Sequence, residues 1–296
     1  MTGPERGFLL LASPLGDPER KCLTLPQLRV LSRRVAEAGC AGDPGDVTPR
    51  TLSALGYGPE EARRIAALLS QDRLLEQYLR QARAAGITLL TRISPGYPPR
   101  LRARLRPDGP AVLCLRGDPA LLSGGPTLGL VGSRALHPEN RAFAQEAGRQ
   151  AAAQGYILVS GGAKGADLAA QEACLAAGGR VVSFVSDRLL DHVPKPGLLL
   201  CSEVGFDLPF SAPRALSRNR LIHALADRLL VAQCTPETGG TWAGTAENLR
   251  RGWSPVFVLD DGSPGAQALS ALGAGYLTAD SLSDLSALAP AQHSFL

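Results

Sequence analysis

The sequence predicts an α/β protein built on a doubly wound parallel sheet, with a small helical domain at its N-terminus. Short, largely apolar segments recur six times between residues 127 and 259, and stretches with helical character separate them. Such segments are typical of strands buried on both faces of a parallel sheet, with the helices as crossovers. Residues 1–75 have helical patterns instead, which predicts the separate helical domain.

The composition fits a folded protein with a substantial core. A chain of 296 residues suits one large domain with a smaller companion, and 45% of its residues are hydrophobic. The formal net charge is +4, and arginine supplies nearly all of the positive charge because the chain has only three lysines. This balance permits the binding of a polyanion without requiring it.

The cysteines and the N-terminal residues bear on the cellular compartment. The six cysteines are Cys22, Cys40, Cys114, Cys174, Cys201 and Cys234. They form no CxxC pair, which predicts buried thiols in a reducing compartment and no metal site. The apolar stretch GFLLLAS is too short to span a membrane, and no charged start with a cleavage site accompanies it. We therefore expect a cytoplasmic protein that does not engage a membrane.

We predict three parts of the chain: a helical domain at 1–75, an extended lead-in at 76–126 and the sheet domain at 127–296. The helical domain could be a sterile-alpha-motif or helix-hairpin-helix type of unit that touches DNA or a partner. A lid or a spacer fits its residues equally well.

Local patterns place the elements of the first two parts. Helical patterns occupy 25–38 and 60–69, and Thr48-Pro49 is a typical helix start. In the lead-in, a helix ending at Gly86 is followed by strand-like segments, 87–90 and 111–117.

Arginines recur near the middle of the lead-in, at Arg102, Arg104 and Arg106. Such a row can line a path for nucleic acid, or it can be the solvated face of a short helix. The residues leave both interpretations open.

Two loops in the first half of the sheet domain predict a site for an anion. The first predicted strand leads into Gly132-Ser133-Arg134, and the second leads into Ser160-Gly161-Gly162-Ala163-Lys164-Gly165. Both loops open at the carboxyl edge of the sheet, where such sheets bind ligands and helix starts attract anions. The glycines let the backbone approach a phosphate, and Arg134 and Lys164 supply charge. The alternative is that the glycines only form tight turns.

Neither loop carries a standard nucleotide fingerprint. Gly129 and Gly132 are spaced GxxG rather than GxGxxG, and no segment matches GxxxxGK[ST]. We therefore expect no nucleotide cofactor.

Two later loops add polar groups near the same edge. Arg218, Asn219 and Arg220 stand where a phosphate can reach them, although the arginines could instead form ion pairs with Glu203 or Asp167. The turn from Thr238 to Thr245 offers hydroxyl and N–H groups that also suit a phosphate, and Glu247 follows it.

In their order and spacing, these motifs resemble the DprA/Smf family of bacterial DNA-processing proteins. The resemblance covers about residues 85 to 260 and rests on GYPPRL at 96–101, VLCLRG at 112–117, VGSR at 131–134, VSGGAKGAD at 159–167, LCSE at 200–203 and RNRLI at 218–222. It implies that the sheet domain is Rossmann-like.

The resemblance also implies a function without enzymatic activity. Such proteins bind single-stranded DNA without sequence preference, protect it, form homodimers, and load a RecA-type recombinase in DNA recombination and natural transformation. The implied DNA-binding residues are Gly132, Ser133, Arg134, Ser160, Gly161, Lys164, Arg218, Asn219 and Arg220. No catalytic residue, metal or cofactor is implied.

The sequence departs from the family pattern in several places. The family's Tyr-Pro and Asn motif is reduced to Asp191-His192-Val193-Pro194, and the Thr238–Thr245 turn replaces its Ser-Gly-Ser turn. Leu168-Ala169-Ala170 stands where the family usually has Ala-His, which indicates a divergent branch. Only about 35 residues follow Leu259, so we expect no C-terminal winged-helix domain.

Two alternative functions stay open. Gly239-Gly240-Thr241 with Glu247 is similar to the PGGxGTxxE turn of lysine-decarboxylase-like phosphoribohydrolases, which cleave nucleoside monophosphates. In that case Arg134 or Arg218 and Glu247 would be catalytic, with Glu247 stabilising the sugar cation. In the other, the sheet only scaffolds protein partners.

Overall fold

The computed structural model describes residues 1–39 and 47–288. These residues form two compact units. The first contains 1–97, 106–115 and 202–208, and the second contains 98–105, 116–201 and the residues from 209 onward. The domain boundaries after residues 75 and 126 stay predictions.

The first unit is mainly helical. Its elements are α1 (Gly3–Ala12), α2 (Leu25–Glu37), α3 (Pro49–Ala54), α4 (Pro59–Leu69), α5 (Asp72–Ala84), β1 (Ile87–Thr91) and most of β2 (Val112–Arg116). The first three helices are capped by Thr2, Thr24 and Thr48, respectively. Each of these helices has a proline in its first turn. Each threonine side chain accepts from a backbone N–H that the helix leaves unpaired.

Helix α1 differs from the sequence analysis, which assigned no helix to the apolar stretch near the start. Leu9 and Leu10 are 0% and 1% exposed, so this stretch belongs to the core of the first unit. Among the described residues, no helix combines the length and the apolarity that crossing a bilayer requires. The aromatic part of this core includes Tyr78 and Phe206, whose rings stack with their centroids 4.5 Å apart.

The second unit holds a parallel sheet with flanking helices. Its elements are α6 (Pro99–Arg104), β3 (Thr127–Val131), α7 (Pro138–Ala153), β4 (Ile157–Ser160), α8 (Ala166–Ala176), β5 (Arg180–Phe184), β6 (Leu198–Glu203, through Cys201), α9 (Ala212–Leu225), β7 (Arg228–Val231), α10 (Gly239–Arg251), β8 (Val256–Leu259), α11 (Pro264–Ala271) and β9 (Gly275–Leu277).

The strand order in this unit is β6-β5-β4-β3-β7-β8-β9, and every neighbouring pair is parallel. The chain winds outward from β3 to β6, returns to β7 beside β3, and winds outward again to β9. This is the doubly wound, Rossmann-like arrangement, so the predicted fold class is confirmed. The six predicted strands all form, and the short edge strand β9 is the one that was not predicted.

The register of the central strands brings their carboxyl ends to one edge. Val159 of β4 pairs with Gly129 of β3 and with Val182 of β5, and all three strands run in the same direction. Ile157, Leu158 and Val159 are 0% exposed. Because both faces of these strands are covered, polar groups concentrate in the loops that follow them.

The arginines of α6 have structural partners. The guanidinium of Arg104 donates to the carbonyls of Ala224 and Ala226, at 3.1 and 2.6 Å, where α9 ends. Arg100 forms an ion pair with Asp227 at 3.0 Å. Arg104 thus satisfies carbonyl groups that the end of α9 leaves unpaired, and Arg100 is paired with a carboxylate. For Arg104 these contacts favour a structural role over the nucleic-acid path considered from the sequence, while Arg102 and Arg106 are exposed.

The described cysteines are free thiols, and all but Cys22 are buried: Cys114, Cys174, Cys201 and Cys234. Burial raises the pKa of Cys174 and Cys234 to about 11, which keeps them protonated. Cys40 lies outside the described residues.

Candidate functional site

A pocket of about 200 Å³ lies at the carboxyl ends of β4 and β5 in the second unit. Three of the lining residues are cationic, namely Arg134, Lys164 and Arg218, and we call them the pocket cations. The other lining residues are Gly161, Gly162, Ala163, Val185, Ser186, Asp187, His192 and Phe210. The pocket therefore gathers positive charge from three different loops or helices.

The loops after β3 and β4 lie at the same edge of the sheet, where the sequence analysis places them, and they contact each other. The backbone N–H of Ala166 donates to the carbonyl of Ser133 at 3.2 Å. Gly165 has φ +91, and a Cβ there would overlap the carbonyls of Ser133 and Arg134. Only glycine satisfies both the backbone conformation and the close approach. This contact holds Arg134 and Lys164 at the same mouth of the pocket, where both are exposed.

The third pocket cation is buried beside an acid. Arg218 on α9 and Asp167 in the first turn of α8 have side chains that are 8% and 9% exposed, with Nη1 and Oδ2 3.7 Å apart. Gly161 leaves the space for this guanidinium, since a Cβ at Gly161 would overlap it. The ion pair offered as an alternative in the sequence analysis therefore exists, and Arg218 lines the pocket as well.

Burial dominates the electrostatics of this pair. Burial raises the pKa of Asp167 from 3.8 to about 6, against the opposing effects of Arg218 and of hydrogen bonds from the backbone of Ala163 and Gly161. Burial also lowers the pKa of Arg218, against the attraction of Asp167. On the same helix, burial and then the charge of Arg218 lower the pKa of His223 to about 3, so that imidazole is neutral. Each shift favours the uncharged form of its group.

Arg218 is incompletely hydrogen-bonded. Within the described part of the chain, its Nε and Nη1 atoms are buried and have no hydrogen-bond partner. The 3.7 Å separation from Asp167 is longer than a hydrogen bond. Buried donors without acceptors are costly, and an anionic oxygen that enters the pocket would satisfy them with a charge-assisted bond.

Five of the sequence-predicted residues do not line the pocket, and most of them have internal partners. The carbonyl of Gly132 accepts from Thr241 at 3.0 Å, and the N–H of Ser133 donates to Gln233 at 2.9 Å. The others are Ser160, which is 0% exposed, Asn219, which donates to Gly240, and Arg220, which donates to Ser217. Gly132 and Ser133 thus shape the loop that carries Arg134.

The structure adds lining residues outside the loops that the sequence analysis selected, namely Val185, Ser186, Asp187, His192 and Phe210. The Nε2 atom of His192 lies 2.6 Å from Oδ1 of Asp187. Asp187 follows the end of β5, so its position could have been found from the same strand-end argument. No sequence signal distinguishes Phe210 from a core aromatic residue.

The Thr238–Thr245 segment forms the start of α10, and Glu247 lies further along the same helix. Thr241 is used to hold Gly132, and Glu247 forms an ion pair with Arg251 at 3.9 Å. Neither Thr241 nor Glu247 is among the lining residues, whose one carboxylate is Asp187. The arginine and glutamate pair of the hydrolase alternative is therefore not assembled at this pocket.

No group of three or more His, Cys, Asp or Glu side chains within 1–39 and 47–288 is arranged to hold a metal ion.

The fold and the pocket define an α/β protein with a cationic site at the strand ends of a Rossmann-like sheet. The model of the DNA recombination-mediator protein A family matches residues 88–285, and the chain belongs to this family. The resemblance seen in the sequence is confirmed.

Two curated relatives carry the name DNA processing protein DprA. The one from Bacillus subtilis (strain 168) is 28% identical over 179 residues, which cover 56% of this chain and 58% of the relative. The one from Streptococcus pneumoniae (strain ATCC BAA-255 / R6) is 30% identical over 189 residues, which cover 58% of this chain and 64% of the relative. The chain thus matches less than two thirds of the length of either relative.

Two solved structures share the fold. The X-ray structure of DprA from Streptococcus pneumoniae superposes with a TM-score of 0.60 at 23% identity, covering 88% of this chain and 96% of that one. A structure of DNA processing protein A from Helicobacter pylori, which concerns its single-stranded DNA binding mode, gives a TM-score of 0.55 at 24% identity and covers 66% and 93%.

Proposed function

We propose that this protein binds single-stranded DNA without sequence preference and acts in DNA recombination and natural transformation. The observation that carries the proposal is Arg218, a buried cation with unsatisfied donors at a pocket whose mouth holds Arg134 and Lys164. Phosphate is the anion that suits this arrangement, because a guanidinium and an ammonium bind its oxygens well. Membership of the DNA recombination-mediator family supports a DNA phosphate rather than a free one.

Binding through phosphates carries no base information, so affinity should not depend on sequence. The test is fluorescence anisotropy with a labelled oligothymidylate, a mixed-sequence strand and a duplex of equal length. If about three phosphates are neutralised, affinity should fall about twentyfold between 50 and 200 mM salt. A flat salt response, or equal affinity for the duplex, would contradict the proposal.

We also propose that the chain acts as a homodimer through the far end of the sheet. Leu272, after α11, is 51% exposed, and Tyr276 on the edge strand β9 is 47% exposed. Exposed apolar side chains beside the last strand of the described sheet suit a self-complementary contact. Light scattering should give twice the 30.9 kDa mass of the chain, and Leu272→Asp should reduce it to the monomer value. A wild-type mass near 30.9 kDa would contradict this proposal.

The proposed partner is a RecA-type recombinase, which the protein would load onto the strand that it protects. The resemblance of the motifs to the DprA/Smf family supports this role. We expect the protein to shorten the lag of recombinase filament formation on DNA covered by a single-strand binding protein. An unchanged lag at saturating protein would remove loading from the proposal while leaving DNA binding intact.

A further inference from the structure

An exposed aromatic ring borders the cationic pocket. Phe210 lines the pocket together with the pocket cations, and it is 53% exposed. Other phenylalanines of the described chain are buried: Phe143, Phe184, Phe206 and Phe257. Phe8 is partly buried, so Phe210 is the exposed phenylalanine of the described residues. Single exposed apolar side chains are common on protein surfaces, so the significance of Phe210 is its position in the lining of the cationic pocket.

The backbone around Phe210 is held in place. Ser211 caps α9, and its side-chain oxygen accepts from the N–H of Arg214 at 3.3 Å. The guanidinium of Arg214 donates to the carbonyl of Pro209 at 2.5 Å. These bonds fix the residues on both sides of Phe210, so its ring is presented to the pocket by an anchored helix start.

We propose that Phe210 is a stacking platform for one nucleobase of the bound strand, and that this contact favours single-stranded over double-stranded DNA. The inference rests on the proposed function and adds a residue and a selectivity to it. A single-stranded nucleotide offers an anionic phosphate and a free π-face, and the pocket offers cations and a ring side by side. Stacking on an aromatic side chain tolerates any base, because every base has a π-face.

A duplex cannot make the same contact. Its bases are stacked on each other in the interior, so only its phosphates would reach the pocket cations. Phosphate contacts should therefore give a basal affinity common to both forms of DNA, and Phe210 should supply the additional affinity for single strands.

The test compares wild type with Phe210→Ala on three probes of equal length: oligothymidylate, an abasic strand with the same phosphates, and a duplex. Phe210→Ala should weaken oligothymidylate binding about tenfold. Binding to the abasic strand and to the duplex, and the salt dependence, should stay the same, because the phosphate contacts are intact. The thermal midpoint should not change, since the side chain is exposed. Ile93→Ala removes another exposed apolar side chain, in the first unit, and serves as the matched control.

A second variant detects stacking directly. Phe210→Trp should keep the wild-type affinity, and its added indole fluorescence should be quenched by oligothymidylate and not by the abasic strand. Equal binding of oligothymidylate by wild type and Phe210→Ala, or an equal loss on the abasic strand, overturns the inference alone. If the wild-type protein binds none of the single strands, both the proposed function and the inference about Phe210 are overturned.

Discussion

Two groups of arginines in the second unit look alike in the sequence and differ in their hydrogen-bond partners in the structure. Arg100 and Arg104, which we call the α6 arginines, have acceptors within the protein: Asp227 and two backbone carbonyls at the end of α9. Arg218 has an ion pair with Asp167 at 3.7 Å but two buried donor atoms without a hydrogen-bond partner in the described chain. The acceptors within the fold, rather than the density of charge in the sequence, therefore separate the α6 arginines from Arg218, which we propose to be a phosphate-binding cation.

The two exposed pocket cations belong with Arg218 in this comparison. Neither Arg134 nor Lys164 forms an ion pair with another described residue. Their charge is therefore available to a ligand at the mouth of the pocket. Substitutions in the two groups should separate stability from DNA binding, and the following experiments test that separation.

The largest effect should come from Arg218→Ala. Removing the guanidinium leaves Asp167 buried without its ion-pair partner, which should lower the free energy of unfolding by about 3 kcal/mol. Arg218→Ala should also abolish most DNA binding, because the buried guanidinium that we propose to bind a phosphate is lost. Chemical denaturation and anisotropy on the same preparation measure the two effects.

A second substitution separates these two roles of Arg218. In the double variant Arg218→Ala with Asp167→Asn, the stranded charge is gone, so stability should recover in part while DNA binding stays lost. If DNA binding recovers together with stability, Arg218 acts only through the fold, and the proposed phosphate contact is wrong.

Lys164→Ala and Arg134→Ala should have the next largest effect, on binding alone. Each should weaken binding to oligothymidylate about tenfold and reduce the magnitude of the salt slope by about 0.7, the value for one phosphate on a single strand. The thermal midpoint should hardly change, because both side chains are exposed. Lys195→Ala is the matched control, since Lys195 is an exposed lysine of the same unit that does not line the pocket. A large fall in midpoint with normal DNA binding would contradict the assignment.

The α6 arginines should show the reverse behaviour with a smaller magnitude. Arg104→Ala removes the donor to the carbonyls of Ala224 and Ala226, and we expect a loss of about 1 kcal/mol in the free energy of unfolding. DNA affinity and its salt dependence should match the wild type. A weaker salt slope in this variant would return Arg104 to the candidate DNA path.

The fold was predictable because its signals are local. Apolar strands with helical crossovers predicted the doubly wound sheet, and Thr48-Pro49 predicted the start of α3. Helix α1 was missed because three consecutive leucines are equally compatible with several buried structures. Strand β9 was missed because three residues that begin with glycine carry no strand signal.

The candidate site was only partly predictable. The strand-end argument found Arg134 and Lys164, because the loops that follow parallel strands meet at one edge of the sheet. The same argument could not separate Arg218 from its neighbours Asn219 and Arg220, since that depends on which face of α9 is turned to Gly161. Phe210 depends on side-chain exposure, which one sequence does not reveal.

The last expected effect is a pH dependence of stability, and it concerns the carboxyl group that accompanies Arg218. The pKa of Asp167 is about 6 in the folded protein against an ordinary value of 3.8, because burial disfavours the carboxylate more strongly than Arg218 stabilises it. Between these pH values the folded protein holds a proton that the unfolded chain releases. The stabilising contribution of this group is therefore fully present below pH 3.8 and is lost as the pH rises through about 6.

Asp167→Asn isolates this contribution, because asparagine does not titrate. The free energy of unfolding of the wild type minus that of the variant should decrease between about pH 4 and pH 7, since only the wild type has to ionise a buried acid over that range. Urea denaturation at four pH values gives the difference directly, and contributions from titrating groups that the substitution leaves unchanged cancel in it. A difference that increases with pH would mean that Arg218 holds the carboxylate ionised. In that case Arg218 would be satisfied within the protein, as the α6 arginines are, and would have less reason to bind a phosphate.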